Sequence, residues 1–285
     1  VISESQAPAN NPAHLGPAHG QRLKAVSAAP GVRLVFIGCL FAALSALCEG
    51  SDRTNSVVNL SHYDTVRPDF GRMRREGVVG VIHEATYPPS TPDFAYGGRQ
   101  NAALDAGLLW GAYHYANATN PTRQADHFLD VVTANWRRSG GPSGSPGVLL
   151  VLDFEKNGHY PGGTMGVGQA ADFVERIRSR TGRYPGLYSG ENRIKQVLNE
   201  PGLDPGVKRS LQNCWLWVAN YHYVPTATAP WTRWHLWQYT GDGICDLPRL
   251  GFPTSVANLR NVERNLFNGS AKDLLGFWQA NAWRP

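Results

Sequence analysis

An α/β barrel, with parallel strands inside and helices outside, is the fold class this sequence predicts. Three observations carry the prediction. Short apolar runs rich in β-branched and aromatic residues recur from Ser56 to Thr240, each bounded by Gly, Pro or Asn. Amphipathic segments with helical spacing lie between several of them. The runs are continuously apolar rather than alternating, as expected of strands covered on both faces. Seven or eight such strands favour a closed barrel over an open sheet.

The strand candidates are "SVVNLS" (56–61), "VVGVIHEA" (78–85), "LLWGAYHYA" (108–116), "GVLLVLDFE" (147–155), "YPGLYSG" (184–190), "CWLWVANY" (214–221) and "WHLWQYT" (234–240). Helical spacing is read in "DFGRMRREG", ending at Gly77, in "GGRQNAALDAG", in "TRQADHFLDVVTANW" up to Trp136, and in "MGVGQAADFVERIRSRTG", which Gly182 stops. Helical patterns thin out after residue 200, so the last third is expected to close the barrel irregularly. In the tail "SAKDLLGFWQANAWRP", Leu274, Leu275, Phe277 and Trp278 are spaced for a short closing helix. About 15 residues cannot bury a core of their own, so a separate module is not expected there.

The first fifty residues are of a different kind. Residues 1–31, rich in Ala, Pro, Asn, His and Gly, lack any period and read as disordered. Arg33 then precedes an apolar stretch, about residues 32–48, short for a membrane span and suited to a secretory signal, with an N-terminal anchor as the alternative. The domain is therefore expected over residues 51–285, outside the cytoplasm (periplasmic or secreted). Cys214 and Cys245 fall within it and could pair in an exported protein, or stand as two separate thiols.

The 285 residues carry a formal net charge of +5, spread along the chain with no dense basic run beyond "GRMRREG". Weak attraction to an anionic wall polymer or membrane surface is compatible with this, whereas nucleic-acid binding is not signalled. No His/Cys cluster has metal-ligand spacing and no Gly-rich loop follows a strand, so neither a metal nor another cofactor is expected. A monomer is expected.

The chemistry is signalled at "VLDFE". Residues two apart on a strand share a face, so Asp153 and Glu155 point the same way while Phe154 points the other. They stand at the C-terminal end of the fourth predicted strand, where barrel enzymes hold their active sites. A carboxyl group beside another, shielded by aromatic rings, keeps its proton near neutral pH and can protonate a glycosidic oxygen. Ordinary surface acids at a strand end are the alternative for the pair alone. The other strand ends supply His62 and Tyr63, Glu84, Tyr113 and His114, Tyr188, Trp217 and Tyr221, and Gln238. Aromatic faces for pyranose rings and polar groups for hydroxyls together favour a carbohydrate cleft.

In order along the chain, "NLSHYD", "GVIHEAT", "DAGLLWGAYHYA", "QADHFL", "VLDFE", "PGLYSG", "WLWVANY", "LWQYTGDG" and "VERNLFNG" resemble the glycoside hydrolase family 25 muramidases, the Chalaropsis-type lysozymes. The resemblance spans about residues 56–270. It implies an irregular (β/α) TIM-like barrel that cleaves the β-1,4 bond between N-acetylmuramic acid and N-acetylglucosamine in peptidoglycan. It further implies Glu155 as general acid, with Asp153 orienting the substrate's own acetamido group as nucleophile, an exception to the two-carboxylate scheme.

Three positions depart from the family pattern. Asn59 stands where the family has Asp, Glu84 where it has Lys, and Glu263 where it has Asp, with Asp246 a rival match for the last. Asn59 removes a negative charge, and Glu263 is one methylene longer than the residue it replaces. A shift of about 1 Å can cost on the order of 10²-fold in rate. Retention of both Asp153 and Glu155 favours an enzyme, its activity open to reduction at Asn59 and Glu263. A module that binds peptidoglycan or chitin-like glycans without efficient cleavage is the competing expectation.

Overall fold

The computed structural model describes residues 53–285 except 140, 142, 143 and 227. The expected disordered stretch and the leader or anchor segment lie outside the described residues. Among the described residues, no helix is long and apolar enough to cross a membrane.

The strands are β1 (Thr54–Leu60), β2 (Gly80–Tyr87), β3 (Thr91–Pro92), β4 (Leu109–Tyr115), β5 (Val148–Asp153), β6 (Gly186–Gly190), β7 (Trp215–Ala219), β8 (Leu236–Thr240) and β9 (Arg264–Phe267). Their order in the sheet is β1-β9-β8-β7-β6-β5-β4-β2-β3, and the parallel pairing of β1 with β2 closes it into a barrel. β3 hangs outside the ring, antiparallel on the end of β2. Seven barrel strands are parallel. The eighth, β9, runs against both of its neighbours.

β9 is absent from the strands read in the sequence. It has only four residues, and its polar Arg264 and Asn265 break the apolar run that marks the others. No helix separates β8 from β9. A loop that returns without a crossover favours antiparallel pairing. The irregular closure expected of the last third is located here.

The helices are α1 (Phe70–Arg75), α2 (Tyr96–Asp105), α3 (Pro121–Ser139), α4 (Val167–Thr181), α5 (Glu191–Leu198), α6 (Pro205–Gln212) and α7 (Ala271–Asn281). Local signals explain their ends. Asp69 accepts from the Arg72 amide at the start of α1, and Gly182 stops α4 in the left-handed region at φ 75°. Pro205 follows the Asp204 cap of α6. α5 and α6, of eight residues each, are unread in the sequence.

Period two sorts the strand side chains into two cores. Val58, Leu60, Val81, Trp110, Ala112, Leu150, Leu152, Leu216 and Val218 point outward, against the apolar faces of the helices. On α3 that face is Ala125, Phe128, Leu129, Val132 and Trp136; on α4 it is Ala170, Phe173, Val174 and Ile177. Val57, Ile82, Leu149, Val151, Trp215, Leu236 and Phe267 point inward and fill the barrel. α7 plugs one end with Leu274 and Trp278, both fully buried, while Leu275 faces solvent. The Trp278 indole donates to the Trp110 carbonyl at 3.1 Å. Its ring lies so close to Gly80 that a Cβ there would sit 2.7 Å away. Cys214 is buried, Cys245 partly exposed, and both are free thiols.

Candidate functional site

At the end of the barrel opposite α7, the same inward rows turn polar. β1 runs from Val57 to Asn59, β2 from Ile82 to Glu84, β4 from Gly111 to Tyr113 and Tyr115, and β5 from Val151 to Asp153. β6 contributes Tyr188 and β7 Trp217, and Glu263 enters just before β9. Together with Ser61, Tyr63, Glu155, Lys156, His159, Tyr160 and Asp242 they line a cavity of about 410 Å³.

β5 ends at Asp153, so Glu155 lies just beyond the strand. The extended path continues for one more residue, because the Phe154 amide donates to the Tyr188 carbonyl at 2.9 Å. Both acids therefore face the cavity while Phe154 is buried among the outer core residues. The Phe154 carbonyl accepts from Ser189 Oγ at 2.8 Å and Arg193 Nε at 3.2 Å, and the Arg193 guanidinium covers the Phe154 ring at 4.3 Å. These bonds fix the backbone between the two acids.

The acids have distinct surroundings. Asp153 is 6% exposed, and its Oδ1 has no hydrogen-bond partner among the described residues. Burial, with Glu155, Glu84 and Glu263 nearby, pushes its carboxyl well above the ordinary range. Glu155 is partly exposed at the rim. Burial first, and the charge of Asp242 second, raise it to about 7, against the opposing pull of Arg193 and of the neighbouring Tyr188 hydroxyl. Glu263 is raised to about 8 by burial, then by Asp64, Asp242 and Glu155. Glu84 is raised to about 9 by burial and then by Asp93. Acids crowded in a poorly hydrated space retain protons that isolated carboxyl groups would lose.

A directional network underlies the floor. Trp217 Nε1 donates to Asn265 Oδ1 at 2.7 Å, and Asn265 Nδ2 donates to Asn59 Oδ1 at 2.8 Å. Gln238 Nε2 also donates to Asn59 Oδ1, at 3.3 Å, while Gln238 Oε1 accepts from Tyr221 at 3.1 Å and from the Tyr188 hydroxyl. Asn59 Nδ2 in turn donates to Glu263 Oε2. Every polar side-chain atom of Asn59 is engaged.

The sequence-predicted residues fall into three groups. Asn59, Tyr63, Glu84, Tyr113, Asp153, Glu155, Tyr188, Trp217 and Glu263 meet in the cavity. Tyr221 lines an adjoining hollow that shares Glu155 and Asp242. The remaining three are not among the residues that line the cavity. His114 points outward beneath the helices, 1% exposed, stacked on Phe173 at 5.3 Å and bonded to Thr86 and Gln124. Strand alternation that sends Tyr113 inward must send His114 outward. Gln238 is 1% exposed and holds the floor from below. His62 is half-buried between the Tyr63 and Tyr87 rings, its Nδ1 2.6 Å from Glu84 Oε2.

Sequence reasoning missed Tyr115, although its place two residues after Tyr113 gives it the same face. It also missed Tyr160 and Asp242, which belong to loops whose paths strand periodicity does not describe. Tyr160 hydrogen-bonds the Tyr63 hydroxyl at 2.9 Å and packs against Tyr87 and Tyr115, building an aromatic wall from four chain segments. Nor does spacing reveal Asp93, which the structure brings to His62 and Glu84 as a group able to hold a metal ion.

The chain matches the family model of glycosyl hydrolases family 25 over residues 58–246. It is 28% identical over 229 residues to Lysozyme M1 of Streptomyces globisporus, covering 76% of this chain and 69% of that protein. In fold it is similar to the bacterial lysozyme from Streptomyces coelicolor, with a TM-score of 0.59, 24% identity, and 82% of this chain and 100% of the other covered. A muramidase from Acremonium alcalophilum superposes with a TM-score of 0.57 at 24% identity, covering 79% of this chain and 98% of the other.

Proposed function

From a chain that belongs to glycosyl hydrolases family 25, we infer a peptidoglycan-cleaving muramidase that hydrolyses the β-1,4 bond between N-acetylmuramic acid and N-acetylglucosamine. One observation carries the assignment of roles. Glu155 stands at the cavity rim with a carboxyl raised to about 7, beside a buried Asp153 whose Oδ1 has no partner among the described residues.

Glu155, protonated near neutral pH, donates its proton to the departing glycosidic oxygen. The acetamido oxygen of the bound sugar attacks the anomeric carbon, and Asp153 accepts the acetamido N–H to hold it in line. The unpartnered Oδ1 of Asp153 suits an incoming donor of that kind. Glu155, now a carboxylate, takes a proton from the water that opens the cyclic intermediate and is reset as an acid, with retention of configuration. Tyr63, Tyr113, Tyr115 and Tyr160 offer ring faces and hydroxyls to the glycan. Action outside the cytoplasm follows from this substrate class as part of the proposal.

The test is clearing of purified cell walls by the wild type beside Glu155→Gln and Asp153→Asn, with products identified by mass spectrometry. Muropeptide release by the wild type, abolished in Glu155→Gln, is expected. Equal, slow clearing by wild type and Glu155→Gln, with both sedimenting with walls, would make the protein a glycan binder. Release of chitin oligomers alone would remove the muramidase assignment. Asn59→Asp is the further arm. The engaged network around Asn59 predicts no gain in rate, and a large gain would mark Asn59 as an inactivating substitution.

A further inference from the structure

We propose that His62, Glu84 and Asp93 form a binding site for one divalent transition-metal ion, of the zinc or manganese kind, in the wall of the cleft. One ligand atom from each residue lies within 4.8 Å of the other two. His62 Nδ1 is 2.6 Å from Glu84 Oε2 and 3.4 Å from Asp93 Oδ2. One imidazole nitrogen with two carboxylate oxygens is a donor set that suits zinc or manganese.

Asp93 supplies an independent indication. It is 4% exposed, and no N–H or hydroxyl group among the described residues donates to its Oδ2, which has the Glu84 carboxyl as its neighbour. Its other oxygen is spent on the Ala95 amide at 2.7 Å. His83 is 3.8 Å from Oδ2 but cannot serve it. His83 Nε2 accepts from Arg99 Nη1 at 3.0 Å, so the ring proton is on Nδ1, which faces the Glu84 carbonyl at 2.7 Å. The single proton His62 Nδ1 can carry is directed at Glu84. Two buried carboxyl groups this close either share a proton or hold a cation between them, and the His62 nitrogen supplies the third ligand for a cation.

The supports are rigid and the opening faces the cleft. Glu84 is on β2, and Asp93 follows β3, its amide bonded to the Ala85 carbonyl at 2.9 Å. The His62 ring is packed against those of Tyr63 and Tyr87, with centroids 4.1 and 4.6 Å away. Glu84 lines the catalytic cavity, so the remaining coordination positions of the ion would be reached from it. The site stands apart from the hydrolase reading, since ion binding is measured without a glycan.

The test uses the full chain, stripped with a chelator and titrated calorimetrically with zinc and with manganese, alongside elemental analysis. One ion per chain is expected. His62→Gln and Asp93→Asn should each weaken binding at least about 100-fold, the upper range for loss of a mere outer-shell partner. His222→Gln is the control, because His222 and Asp246 form an exposed pair at 2.6 Å that offers only two ligands. It should bind as the wild type does. Thermal unfolding verifies that each variant is folded, and should Asp93→Asn not fold, His62→Gln decides alone. No binding of either metal by the wild type would mean a proton, not an ion, joins these groups, and the proposal falls. It falls equally if His62→Gln binds unchanged, or if His222→Gln abolishes binding.

Discussion

On β5, Leu149 and Val151 face the barrel interior among Val57, Ile82 and Trp278, while Asp153, two residues on, faces an acid-lined cavity. The two ends of the barrel are thus made by the same strands, on the same face, one step of the pleat apart. The α7 end is apolar and plugged, its indoles and glycine in van der Waals contact. The opposite end holds Glu84, Asp153 and Glu263 with raised proton affinity over a network of amides. One end supplies the hydrophobic burial, and the other bears the electrostatic cost of crowded acids. The contrast teaches that the apolar and acid-bearing layers are separated along the barrel axis, so each can be perturbed with a distinct readout.

The largest expected effect is at the reacting end. Glu155→Gln should lower wall-clearing activity by about 10²–10⁴-fold, the usual contribution of general acid catalysis, with thermal stability retained. Loss of stability without loss of rate would break the contrast. The mirror test is Trp278→Ala, expected to cost about 3–5 kcal/mol in denaturant unfolding, with activity per folded molecule unchanged. Asn265→Ala probes the boundary. It strips partners from the buried Trp217 indole and from Asn59, so about 1–3 kcal/mol should be lost. Here activity should fall as well, because the same bonds hold the floor of the cavity.

The last perturbation is of pH. Glu155 and Glu263 have folded values of about 7 and 8, raised above those of an unfolded chain. Their contribution to stability is fully present below the unfolded value near 4.3, and is lost as pH rises through the folded values. Melting temperature should therefore decline between about pH 5 and pH 8, and Glu263→Gln should flatten that decline. The same sign governs catalysis, with activity falling as pH passes about 7 and Glu155 loses the proton it must donate.

The sequence by itself determined the parallel strands, through continuous apolar runs, and helices α1 to α4 with the closing α7, through spacing and caps. It also determined that Asp153 and Glu155 share a face, since alternation along an extended chain is a local property. Alternation applied strictly would equally have exchanged His114 for Tyr115. Tertiary structure alone decided what no local period encodes. It reversed β9, whose Asn265 bonds to Asn59 on the neighbouring β1 and to Trp217 on β7. It brought Tyr160 and Asp242 to the cavity on loops, and set Asp93 against His62 and Glu84. Side-chain direction follows from backbone geometry within a few residues, whereas proton affinity and ligand grouping arise from what distant segments bury together.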